Sequence, residues 1–169
     1  MTVVVRAAEP GDAVALVALA NEVTAEPEGW LLTETAWRTA ADERRYLRAL
    51  RRHPDGAVFV ADDDGAIVGR LSVSRDPHPA SSHVADLGLM VARGERRRGV
   101  GSALMRAAEQ WARGSGIEKL ELHVFPHNAP AIALYEKLGY EREGRRRAHY
   151  HRTDGERVDA ILMAKLLTP

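Results

Sequence analysis

The chain has 169 residues, 45% of them apolar, and its 24 lysines and arginines balance 24 aspartates and glutamates. A formal net charge of zero gives no global attraction for nucleic acid or an anionic membrane, and the absence of cysteine excludes disulfides, zinc–thiolate sites and thiol nucleophiles. The length predicts a single domain over residues 1–169. The opening Met1-Thr2-Val3-Val4-Val5-Arg6 lacks a signal peptide's basic start, and no apolar run is long enough to span a bilayer, so a cytoplasmic protein is expected.

Val3-Val4-Val5 is a β-branched run and predicts a first strand. Pro10-Gly11-Asp12 starts a helix with Leu16, Leu19, Ala20 and Val23 on one face. Pro27-Glu28-Gly29-Trp30 breaks it as a loop. Thr33 or Thr35 caps a second helix, expected from about Thr35 to Leu50, with Trp37, Ala41, Leu47 and Leu50 as its buried side. Ala57–Ala61 and Ala66–Ser74 read as strands joined by the hairpin turn Asp63-Asp64-Gly65. After the polar loop Arg75–Pro79, an apolar strand runs to Val91.

A helix follows with Val100, Leu104, Ala107, Ala108 and Trp111 on one face, stopped by Gly114-Ser115-Gly116. Lys119–Val124 alternates as a strand. Asn128-Ala129-Pro130 starts a last helix, carrying Ala131, Leu134, Tyr135 and Leu138 and ended by Gly139. Tyr140–His151 and Val158–Lys165 are two strands joined at Asp154-Gly155. Strand–helix–strand in mid-chain forces a parallel pair, while the hairpins are antiparallel, so a mixed α/β sheet is expected.

Between the strand ending at Val91 and the helix starting at Val100 lie Arg96-Arg97-Arg98-Gly99-Val100-Gly101-Ser102. Strand, cationic glycine turn and helix start together suit a phosphate. Glycine lets the backbone approach, the first helical N–H groups lack partners, and arginine supplies forked donors. A P-loop needs a lysine after its glycines, and none follows here. A dinucleotide loop needs a third glycine where Leu104 stands. What fits is Arg96-x-x-Gly99-x-Gly101, which resembles the pyrophosphate loop of the GCN5-related N-acetyltransferases (GNAT). A second block, Asn128-x-x-Ala131-x-x-Leu134-Tyr135 ending at Gly139-Tyr140, is similar to the family's next block in order and spacing. The likeness is strong over about 83–140, and the tail with Asp154-Gly155 and Asp159-x-x-Leu162-Met163 resembles the family more loosely.

The resemblance implies a mostly antiparallel sheet of six to seven strands, its central parallel pair splayed open, flanked by about four helices. It implies acetyl-CoA as co-substrate and an acetyl group moved to a primary amine of a small molecule or peptide N-terminus. The pantetheine arm is expected along Leu89 and Val91, the diphosphate on backbone N–H groups of Arg96, Arg97, Arg98, Gly99, Val100 and Gly101 near Ser102, Asn128 beside the arm, and Tyr135 near the sulfur.

The chemistry itself asks for a proton acceptor, because an aliphatic ammonium of pKa about 10 is unreactive at neutral pH. Asp86, in an otherwise apolar strand, is the leading candidate, either paired structurally or open to the cleft; Glu28 and water are alternatives. The N–H of Met90 is the expected oxyanion donor, and Tyr135 the acid for the leaving thiolate. Tyr135 also shares its helix face with Leu134 and Leu138, as a core aromatic would.

Trp30 either walls the acceptor pocket or caps the core, and His123 either touches substrate or is solvated. The run Arg145-Arg146-Arg147 binds an acidic acceptor, a partner or nothing, and the last hairpin offers a surface for a homodimer. His149-x-His151 has no third ligand at metal spacing, so no metal is expected. The alternative to an enzyme is a non-catalytic acyl-CoA-binding sensor.

Overall fold

A computed structural model describes residues 3–31 and 37–167. The strands are β1 (Val3–Ala7), β2 (Gly56–Asp63), β3 (Ala66–Arg75), β4 (Val84–Val91), β5 (Lys119–Val124), β6 (Glu141–His151) and β7 (Arg157–Leu166). The helices are α1 (Ala13–Thr24), α2 (Ala40–Leu50), α3 (Val100–Gly114) and α4 (Ala129–Lys137). The strands form one sheet in the order β1-β2-β3-β4-β5-β7-β6. Every neighbouring pair is antiparallel except β4 with β5, which α3 connects as a crossover. This is the mixed class expected.

Local chemistry sets the turns. Asp64 and Gly65 link β2 to β3 at φ 49° and 92°, the positive φ values that a two-residue hairpin turn matched to the strands' right-handed twist requires. Helices α3 and α4 bury Leu104, Ala108 and Ile132 on one face of the sheet with Leu71, Leu87, Leu120 and Met163. On the other face, Leu16 and Leu47 pack with Val58 and Val60, and Leu19, Ala20 and Val23 pack with Met90. No helix among the described residues is long and apolar enough to cross a membrane.

The second helix departs from its periodicity. The expected start around Thr33, Thr35 and Ala36 lies outside the described residues, and α2 begins at Ala40. Thr39 caps it, accepting the Asp42 N–H at 3.1 Å. Trp37 therefore precedes the helix, Ala41 is exposed, and the buried positions are Glu43 and Leu47. Apolar spacing has no means of finding a buried glutamate. Glu43 meets Arg70 of β3 at 3.4 Å and Arg38 at 3.2 Å. The Trp37 ring lies 5.4 Å from the Arg38 guanidinium and 5.3 Å from that of Arg70.

Replacing Glu43 with alanine strands the buried Arg70 charge. Urea unfolding is expected to show a loss of about 3 kcal/mol, and a loss under about 1 kcal/mol would mean the pair is not needed to compensate Arg70.

Candidate active site

The site begins where pairing stops. β4 and β5 match at Val84–Lys119, Ala85–Leu120 and Asp86–Glu121 and at no later position, although β4 runs on to Val91 and β5 to Val124. The far edge of β5 stays paired with β7 as far as Val124–Ile161. A wedge therefore opens along Leu87–Val91.

Alternation fixes which backbone groups face that wedge. Ala92 N–H donates to Val68 O at 2.9 Å and Asp76 N–H to Val84 O at 2.8 Å, so the even-numbered residues of β4 turn to β3. His83 O accepts from Lys119 N–H at 3.1 Å, so the odd-numbered residues turn the other way. Leu87, Leu89 and Val91 thus address the wedge. The Met90 N–H, expected as the oxyanion donor, instead turns to β3 opposite Arg70, and its side chain is buried with Leu19, Ala20 and Val23. A wedge-facing donor falls one residue earlier, at Leu89. The motif alone carries no signal for this parity.

At the end of β4 the chain makes a 3-10 turn over Arg93–Glu95 and then a left-handed loop, with Arg97 at φ 63° and Gly99 at φ 85°. A non-glycine residue in that region costs free energy. Gly99 is the N-cap of α3, so the first-turn N–H groups, including those of Gly101 and Ser102, lack helical partners. Gly101 lets α3 sit close to α4, since a Cβ there would lie 3.0 Å from Leu134 Cδ2. Arg97 and Arg98 are exposed, and Arg98 reaches Glu95 at 2.7 Å.

Arg96 does something its motif does not announce. Its guanidinium forks onto Glu26 at 2.7 and 2.5 Å, and its Nε donates to Val91 O at 3.0 Å. Glu26 is buried and also accepts the Trp30 indole N–H at 3.1 Å. The arginine therefore braces the α1–α2 loop against the end of β4. Asn128 caps α4 with its amide oxygen, accepting Ala131 N–H at 3.3 Å, a bond that does not use its NH2 group. Tyr135 is 6% exposed, its ring 6.1 Å from that of Tyr140, and burial raises its phenol well above the ordinary range.

The floor of the cleft is charged. Asp86 stands opposite Glu121 in the register and remains open to solvent along the cleft. Neighbouring walls still strip water from its carboxylate and Glu121 repels it, which pushes its pKa up to about 6 against the pull of Arg146. His123, two residues beyond Glu121 and on the same face, shares a 2.8 Å hydrogen bond with the Tyr150 hydroxyl. The His149 ring stands edge-on to His123 at 5.8 Å. Burial holds His123 below its usual pKa, with Arg146 and His149 adding to the effect. Burial raises Tyr150, with Asp86 assisting. Tyr150 has no sequence signature; it is found only through β6 bending toward the cleft.

Glu28 and Trp30 belong to a separate wall. Glu28 pairs with Arg93 at 3.1 Å, and its carbonyl lies 2.9 Å from His127 Nε2. Trp30 stacks on His127 at 5.6 Å, and His127 stacks on Phe125 at 5.6 Å. Arg152 lies 4.7 Å from the Phe125 ring and donates to Gly29 O at 2.9 Å. A hollow of about 330 Å³ between Glu28, Gly29, His127, Arg152 and Glu156 adjoins this wall and does not include Asp86. Asp86 and His123 thus share one face of the sheet, while Glu28 is paired with Arg93.

Known proteins share the family and the fold. Residues 16–140 match the model of the acetyltransferase (GNAT) family. L-amino acid N-acetyltransferase AaaT of Escherichia coli strain K12 is 36% identical over 168 residues, covering 97% of this chain and 98% of that protein. A GNAT-family acetyltransferase from Streptococcus pneumoniae superposes with a TM-score of 0.84 at 28% identity, over 99% of this chain and 100% of the other. The structure of yncA from Salmonella typhimurium with its cofactor acetyl-CoA shares the fold, with a TM-score of 0.88 at 17% identity over 100% and 96% of the two chains. Fold and wedge define an N-acyltransferase, and the chain belongs to the GNAT acetyltransferase family.

Removing the brace tests its role. Arg96→Ala leaves the Glu26 carboxylate buried without its partner, and a stability loss of about 3 kcal/mol is expected with a red shift of Trp30 emission. Unchanged stability and emission would show that the α1–α2 loop is held without it.

Proposed function

We propose that this enzyme moves the acetyl group of acetyl-CoA to a primary amine of a small molecule or peptide N-terminus by direct attack within a ternary complex. The observation that carries this reading is the end of β4–β5 pairing at Asp86–Glu121 directly below a left-handed phosphate-type loop. The cofactor in the yncA structure and the amino-acid activity in the name of AaaT support the choice of thioester and acceptor.

The wedge-facing peptide groups of Leu89 and Val91 suit strand-like hydrogen bonds to an amide-bearing arm. Val91 O already accepts from Arg96, so its bonding to the arm requires sharing or release of that contact. The first-turn N–H groups of α3, with Arg97 and Arg98 beside them, suit a diphosphate. Asp86 takes the proton of the incoming ammonium, directly or through one water, and a base with pKa about 6 is ionised at neutral pH. The freed amine adds to the thioester carbonyl, and the Leu89 N–H holds the oxyanion. As the carbon–sulfur bond breaks, the sulfur leaves with the electron pair. Tyr135, kept neutral by burial, hands it a proton and is reprotonated through water by the second proton that the nitrogen sheds as the amide forms.

Steady-state thiol release with a panel of amines tests the scheme. Asp86 works deprotonated, so kcat/KM is expected to fall as pH drops through about 6. Asp86→Asn is expected to erase that limb and cut kcat about a hundredfold, and Tyr135→Phe to lower kcat about as much with little change in coenzyme A affinity. Full activity in either variant removes that residue from its role.

A further inference from the structure

The run Arg145-Arg146-Arg147 is divided by the fold. β6 faces β7 in register at Arg146–Ala160 and next at Tyr150–Val158, so Arg147, Ala148 and His149 stand against the single Asp159. Asp159 holds this bulge. It accepts the Ala148 N–H at 2.7 Å and the Arg145 Nε at 2.6 Å, and Ala148 takes a left-handed φ of 49°. Bulges near active sites re-aim side chains. Here the bulge turns Tyr150 to His123 and leaves His149 beside it.

The three arginines then act on different groups. Arg145 and Arg147 send their charge to Asp159. Arg146 sends its charge to Asp86, His123 and Tyr150. Strand alternation explains the division, because 146 lies on the opposite face of β6 from its two neighbours. Along the sheet, Arg146 lies opposite Ala160, on the face that β7 shares with Leu162, the register partner of His123. Among the described residues Arg146 is exposed and holds no ion pair. On this face of the sheet Asp86 and Glu121 form a carboxylate pair, with Lys119 4.0 Å from Glu121, and Arg146 stands two strands beyond β5 with its charge reaching Asp86. Asp86 and Arg146 together match the charges of an α-amino acid, whose ammonium and carboxylate are borne by one carbon.

We infer that Arg146 is the specificity residue for the acceptor's α-carboxylate, so that free α-amino acids are the substrates and peptide N-termini, which lack that group, are poor ones. The inference rests on reading this cleft as the acceptor site of an acetyltransferase. Guanidinium matches a carboxylate with two parallel donors, and a carboxamide forfeits the charge. Glu28 and Arg152 at the mouth remain to read the side chain.

The test uses the full-length enzyme with acetyl-CoA, the twenty proteinogenic amino acids, their carboxamides and the Ala-Ala dipeptide. Wild type is expected to favour a free amino acid over its carboxamide by about tenfold or more in kcat/KM. Arg146→Gln is expected to raise KM for the free acid by about tenfold, leave the carboxamide's KM unchanged, and move the pH limb set by Asp86 upward for both substrates, because the pull of Arg146 on that carboxylate is gone. Arg146→Lys is expected to recover part of the loss. Equal use of acid and carboxamide, preference for the dipeptide, or an equal fall for both substrates in Arg146→Gln overturns the assignment. Calorimetry of the same amino acids against the coenzyme A complex separates the two claims. Carboxylate-dependent binding that Arg146→Gln abolishes, without turnover, sinks the transferase reading and keeps the assignment. Turnover without carboxylate preference does the reverse.

Discussion

Two strands that start as neighbours and then part are the constraint on which the molecule is built. β4 and β5 pair at Asp86–Glu121 and separate beyond it. β4 cannot follow β5 because its other edge is locked to β3 as far as Gly69–Val91. β5 cannot follow β4 because β7 holds it to Val124. Unpaired peptide groups on Leu87, Leu89 and Val91 are costly if dry, so the gap invites a ligand able to complete the ladder. The helices respect it from both sides: α3 and α4 close on one face, and α1 and α2 on the other.

Polar contacts tie the two ends of this gap together. Arg96 links the end of β4 to Glu26, and Glu26 links to Trp30. Trp30, His127 and Phe125 stack in series toward the end of β5. The loop that carries the phosphate-type backbone and the loop that carries Glu28 and Trp30 are thus parts of one connected structure. On the far side, Asp159 shapes β6 so that Tyr150 meets His123. Three charged side chains that the sequence alone would leave in solvent, Glu26, Arg96 and Asp159, position the groups around the cleft.

Much of this was legible in the sequence, and for physical reasons. Alternation and helical spacing give the element order; Gly99 announces the loop because few other residues tolerate its backbone, and Gly101 because a side chain there would meet Leu134. Asp86 stands out as a charge in an apolar strand. What periodicity cannot deliver is long-range pairing. The burial of Glu43 depends on Arg70, 27 residues away, and that of Glu26 on Arg96, 70 residues away. The parity that assigns the wedge to Leu89 and removes it from Met90 depends on β3, which no local pattern reports. Trp37 lost its helix because Thr39 is the cap.

The parity of β4 allows a direct test by amide hydrogen exchange, followed by NMR with and without acetyl-CoA. Gly88 and Met90, already bonded to β3, are predicted to exchange slowly in both states. Leu89 and Val91 are predicted to exchange readily in the free protein and to become protected when the cofactor binds. Unaltered exchange at Leu89 and Val91 at saturating acetyl-CoA, or new protection at Met90 in their place, would contradict the claim that the wedge holds the thioester carrier.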